Sequence, residues 1–225
     1  RSSDRGNHFA APQTLAQGQV GRPYVVLERS HVYVLWSRTQ ESADLWLAHA
    51  KLDDEGFGPA TPIGISGGAG LEYSLAAQAN RLVVAWSDPE QQAVFIEQSH
   101  DRGETFEPPI RVDDASASAI RAPSVQLFRN GRVALSWVGE LGNPPMSHVL
   151  VDWTRKGDGF GTDLDLGTGT QTGLALEVAS SRRLRHILRV AADKLLVTTI
   201  QDDDKGEPSV TSAEVLDEAN EANPR

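Results

Sequence analysis

The chain has 225 residues, a net charge of −10 and a pI near 5.0, a balance that argues against nucleic acid or an anionic membrane surface as its main partner. It contains no cysteine, so disulfides and thiolate metal sites are excluded. Apolar residues make up 39% of the chain, enough to build a core, yet no run approaches the ~18 apolar residues of a membrane span.

The chain opens at Arg1, already inside a patterned turn, and reads as a processed or truncated piece of a longer precursor. Residues 2–9, SSDRGNHF, follow the pattern S-x-D-x-G-x-x-F, and a strand is expected over 8–15. VYVLW, ending at Trp36, has the run of β-formers expected of a buried strand. DDEGFG at 53–58 is a worn copy of the opening turn, and GISGGAG at 64–70 reads as a flexible loop. Strands are then predicted at 73–78, 82–87, 93–99 and 107–112. Between the last two lies SHDRGETF, residues 99–106, a second full copy of the turn. VALSW ends at Trp137, and KGDGFG at 156–161 is another worn copy. Strands are predicted again at 184–190, 194–200 and 209–215, with no fourth strand after them. The acidic end, DEANEANPR at 217–225, reads as a disordered tail.

Two markers share one period. Phe9, Phe57, Phe106 and Phe160 recur at intervals of about fifty residues, and so do Trp36, Trp86 and Trp137. A period of this size, with four short strands per unit and almost no helical pattern, predicts an all-β propeller of four-stranded antiparallel blades. About four blades are visible within residues 1–216. The strand at 8–15 either completes the last blade, closing a small ring, or belongs to a larger propeller of six or seven blades. Within each turn the aspartate is expected to accept backbone N–H groups, the glycine to supply positive φ, and the aromatic ring to plug the blade edge. Asp4, Gly6 and Phe9, and equally Asp101, Gly103 and Phe106, are therefore structural residues.

The two full turns, each followed by a short strand (AAPQTL and EPPIRV), resemble the Asp boxes of the sialidase, or bacterial neuraminidase repeat, superfamily. The resemblance implies a propeller that is exported from the cytoplasm. It leaves activity open, because Asp-box propellers also serve in binding and assembly. Sialidases clamp a substrate carboxylate with three arginines and use a tyrosine nucleophile activated by a glutamate, with an aspartate as general acid. Arginine suits the clamp because its planar fork meets a carboxylate bidentately.

On the propeller frame the inner strands begin around one end of the central channel. GRPYVV, LEYSLA, IRAPSV and RRLRHI bring Arg22, Glu72 with Tyr73, Arg121, and Arg183 with Arg185 to that end. The resemblance then implies Arg22, Arg121 and Arg185 as ligand-binding residues, Tyr73 as nucleophile, Glu72 as its partner and Asp88 as acid. RAP at 121–123 and the Tyr73–Ser74 pair are similar to sialidase motifs, but the family places the arginine motif before the tyrosine, and here Tyr73 precedes Arg121. The preferred reading is thus a non-catalytic module that binds an anionic glycan or a partner protein. The alternatives are part of an exo-sialidase-type hydrolase, or a structural subunit of an assembly. No cofactor or metal is expected: the six histidines lack ligand spacing, and GTGTQTG at 167–173 carries no lysine.

Overall fold

The computed structural model describes residues 2, 4–38, 43–67, 71–114, 117–128, 131–154, 159–169, 171–174, 184–191, 194–202 and 208–216. The expected tail at 217–225 lies outside them. The described residues form sixteen strands and no helix. They divide in chain order into four antiparallel meanders of four strands each. The first is β1 (Tyr24–Glu28), β2 (His31–Arg38), β3 (Ala43–Lys51) and β4 (Thr61–Gly67). The second is β5 (Glu72–Gln78), β6 (Arg81–Asp88), β7 (Ala93–Ser99) and β8 (Ile110–Arg111). The third is β9 (Ser118–Leu127), β10 (Val133–Leu141), β11 (Met146–Trp153) and β12 (Leu164–Thr168), and the fourth is β13 (Gln171–Leu174), β14 (Leu184–Ala191), β15 (Lys194–Asp202) and β16 (Pro208–Leu216).

The first strands β1, β5, β9 and β13 pack side by side in that order, as blades do around an axis. Trp36, Trp86 and Trp137 end the apolar runs of the second strands, where residues buried on both faces leave the alternation weak. Each seam between blades joins the two opposed faces of neighbouring sheets. Leu35, Leu45, Leu47 and Ile63 meet Leu75, Leu82, Val84 and Trp86. Val83, Ala85, Val94 and Ile96 then meet Val125, Leu127, Leu135 and Trp137. In the third seam Val149, Val151 and Trp153 share a cluster with Ile200 of β15.

Four expectations are corrected. Residues 8–15 join no sheet, and the fourth sheet is completed by β13 instead, so 184–191 is its second strand and not its first. β13 was not foreseen because Gln-Thr-Gly-Leu carries little strand signal. No packing comparable to that of the other first strands joins the fourth sheet to β1 among the described residues, so the sheets make an arc and not a small closed ring. The loop expected at 64–70 is strand up to Gly67. Finally, the fourth strand expected at 107–112 shrinks to Ile110–Arg111 because Pro108 and Pro109 have no N–H to give. Its flanks still pair, with Glu107 N–H donating to the Gln98 carbonyl and Val112 N–H to that of Val94, both at 2.8 Å.

The two full S-x-D-x-G turns share one hydrogen-bond pattern. In the second, Ser99 Oγ donates to Asp101 Oδ1 (2.8 Å) and accepts the N–H of Gly103 (2.8 Å). Asp101 Oδ1 accepts Thr105 N–H (3.0 Å), and Oδ2 accepts the Thr105 hydroxyl (2.6 Å). In the first, Ser2 Oγ donates to Asp4 Oδ1 (2.8 Å) and accepts Gly6 N–H (2.7 Å), while His8 supplies both its N–H (2.9 Å) and its ring nitrogen (2.5 Å) to Asp4. Gly6 and Gly103 sit at φ 89° and 90°, the left-handed geometry expected of them. The serine is the hub, a role the sequence pattern did not reveal. These bonds hold both carboxyls at a pKa of about 2: chiefly the Thr105 hydroxyl for Asp101, and the His8 N–H for Asp4. Phe106 packs against the first seam as expected, but Phe9 is 73% exposed, with no sheet of the described residues beneath it.

Candidate functional site

The starts of the first three inner strands are stitched into one rim. The hydroxyl of Tyr73 donates to the Arg22 carbonyl (2.5 Å) and accepts the N–H of Ser37 (3.1 Å). Gly21 lets the strands come close at this crossing: a Cβ there would fall 2.1 Å from Ser37 Oγ, which would have to turn away, and 3.2 Å from the Tyr73 hydroxyl. On the far side of the same strand, Glu72 accepts the N–H of Ala122 through its carboxylate. Two positions further along, Ser74 Oγ accepts Val125 N–H (3.1 Å). The rim therefore runs from Arg22 through Tyr73 and Glu72 to Arg121 and Ala122.

Within this rim the expected residues take distinct positions. Glu72 and Tyr73 are consecutive strand residues, so their side chains leave opposite faces and do not meet. Asp88 is buried at the β6–β7 hairpin, where it accepts the N–H groups of Glu90 and Gln91 (both 2.9 Å) and the Gln91 side-chain amide (2.7 Å). Arg22 is exposed at the rim. Arg185 lies on β14 opposite Ile200, in a second strand, so it does not occupy the place equivalent to Arg22; its side chain is outside the described residues, as is Arg183.

Arg121 has an unusual setting. Opposite β10, β9 loses register between Ser136 and Val138 and again between Val138 and Glu140, and Arg121 stands across from Val138. Ala119 and Ala122 flank it with φ of 47° and 52°. Left-handed alanine costs roughly 1 kcal/mol or more at each position. The bulge re-aims the arginine, a usual effect of an extra residue in one strand. Its guanidinium donates to the Ala119 carbonyl (3.1 Å) and to Ser147 Oγ (2.7 Å). Neither the bulge nor the Tyr73 staple could be found from spacing, because both depend on pairing between distant strands.

The opposite end, where the S-x-D-x-G turns lie, carries three adjoining depressions of about 490, 550 and 650 Å³. They are lined by the β1–β2 and β5–β6 turns and by Arg102. Burial first, then the charges of Arg102 and Lys51, push the pKa of His31 down there. Among the described residues no cluster of three metal-ligating side chains exists.

The fold is a β-propeller of the kind seen in glycoside hydrolases. The Hadza microbial sialidase Hz136 superposes with a TM-score of 0.59 at 12% identity, over 85% of this chain and 46% of that one. The α-L-arabinanase of Penicillium chrysogenum, solved with arabinobiose, gives 0.56 at 12% identity, over 79% of this chain and 61% of that one. A variant of the NanB sialidase of Streptococcus pneumoniae gives 0.51 at 10%, over 85% and 30%. The chain thus spans about half the length of the first two. No protein-family model and no curated protein matches the sequence.

Proposed function

We propose that the protein is a non-catalytic, sialidase-like Asp-box propeller that binds an anionic glycan at the inner-strand rim, with Arg121 as the anchor. The observation that carries this reading is the double bulge of β9, which holds one arginine between two left-handed alanines. Packing alone gives no reason to keep that strain, and strained backbone clusters at ligand sites. The alternative, a sialidase-type hydrolase, requires Tyr73 to release both the Arg22 carbonyl and Ser37, and Glu72 to release Ala122.

Titration calorimetry with a sialylated trisaccharide and with a uronic acid oligosaccharide tests the proposal. Arg121→Ala should weaken binding at least tenfold without changing the melting temperature. Turnover of a fluorogenic sialoside, abolished by Tyr73→Phe, would favour the hydrolase instead.

A further inference from the structure

Strand register lets the same positions be compared across blades. Val25 and Leu27 of β1 pair with Val34 and Val32, as Leu75 and Ala77 pair with Val84 and Leu82, and Val125 and Leu127 with Leu135 and Val133. Trp36, Trp86 and Trp137 continue the same face. In the second and third sheets this face is buried against the preceding sheet: Leu75 is 3% exposed, Val125 8% and Leu127 7%. In the first sheet Val25 is 60% and Leu27 62% exposed and Val32 and Val34 are only half-buried, while Trp36, Ala48 and Ala50 on the same face are buried, so the uncovered part runs along β1. Of the eight large apolar side chains exposed among the described residues, five (Phe9, Val20, Tyr24, Val25 and Leu27) lie between residues 9 and 27. One stretch of chain therefore concentrates the uncovered apolar surface.

The first S-x-D-x-G turn belongs to the same gap. In the second sheet that turn connects the end of the third strand, at Ser99, to the fourth strand. Ser2 is the counterpart of Ser99, and residues 10–15 are the counterpart of the fourth strand, yet among the described residues no third strand lies beside them. They are already moored to the first sheet, since the Gln13 side chain accepts Phe57 N–H (2.8 Å) and donates to the Phe57 carbonyl (3.1 Å).

We propose that the exposed face of the first sheet is the seam for a further blade: a three-stranded antiparallel unit whose third strand runs into Ser2 and which takes residues 10–15 as its fourth strand. Its partner face should carry β-branched and small apolar residues, like Val83, Ala85, Val94 and Ile96, which cover the equivalent face of the third sheet. This inference is independent of the proposed ligand.

The chain's own second blade supplies a probe. Residues 71–98 (β5, β6 and most of β7) placed directly before Ser2 reconstruct the missing strands in register. Hydrogen exchange should then slow at residues 10–15 and 24–28, binding of a hydrophobic dye should fall, and the melting temperature should rise in a monomer. Val83→Asp with Ile96→Asp in the added copy alone should cancel the protection at 24–28, separating docking from mere fusion. Three outcomes overturn the proposal: an added segment that exchanges freely, unchanged protection at 24–28, or a dimer of the 225-residue chain that Leu27→Asp splits. The last would make a second copy the occupant.

Discussion

Residues 2–9 and 99–106 form the same turn under different conditions. Their hydrogen bonds agree to within about 0.1 Å, their glycines share one φ, and their aspartates share one lowered pKa. What differs is the ground beneath. A Cβ on Gly103 would lie 2.7 Å from Leu47 Cδ2 and 2.8 Å from Leu82 Cδ1, whereas one on Gly6 would meet nothing within 4 Å. Phe106 packs on the seam between the first two sheets, and Phe9 stands in solvent. The turn is thus a local device, complete without tertiary support. Its contribution to the fold comes only when a blade lies under it.

Paired substitutions should separate the two regions. Gly103→Ala combines positive-φ strain with a clash against two leucines and should cost about 2–4 kcal/mol. Gly6→Ala strains only its own turn and should leave global unfolding unchanged, because local opening there is uncoupled from the core. Thermal unfolding of the two variants checks this, and equal losses would show that the first turn rests on something. Phe106→Ala should cost about 1–3 kcal/mol, less than a fully buried ring, and Phe9→Ala close to nothing.

Smaller effects follow from charge. Asp101→Ala should lower the melting temperature by several degrees, and Asp4→Ala should not lower it measurably. Because the folded pKa of Asp101 is depressed to about 2, its contribution is present above pH ~4 and lost as the pH falls toward 2. Acid unfolding curves of the Asp101 variant should lack that decline, while those of the Asp4 variant keep it. The seam between the second and third sheets shows the opposite sign. Asp114 and Asp163 each donate a backbone N–H to the other's carboxylate (3.0 and 2.9 Å). Burial, with neighbouring aspartates, raises the pKa of Asp163 to about 7. Its protonated form is favoured in the fold, so this contribution is present below pH ~4 and lost as the pH rises through 7. Asp163→Asn should flatten the fall in melting temperature between pH ~4 and 7.

The repeat was legible because tryptophan and phenylalanine mark equivalent places in successive units, and burial on both faces makes the second strands read as apolar runs. In the fourth unit those markers fail: β13 lies in a glycine-rich stretch, and no tryptophan follows Trp153. Strand 8–15 carries strand composition without a partner to pair with. At the rim, the sequence brought Arg22, Tyr73, Glu72 and Arg121 to one end. It gave no sign that a tyrosine hydroxyl and a glutamate would be taken up by backbone groups of neighbouring blades, about fifty residues away.

Thermal unfolding of Leu27→Asp beside Leu127→Asp tests the open seam most directly. The two leucines hold equivalent places in the register, 62% and 7% exposed. An aspartate buried at 127 should unfold the chain or cost about 4 kcal/mol or more, whereas at 27 it should cost less than about 0.5 kcal/mol. Comparable losses at both positions would contradict the account, because they would mean that this chain already covers the first sheet.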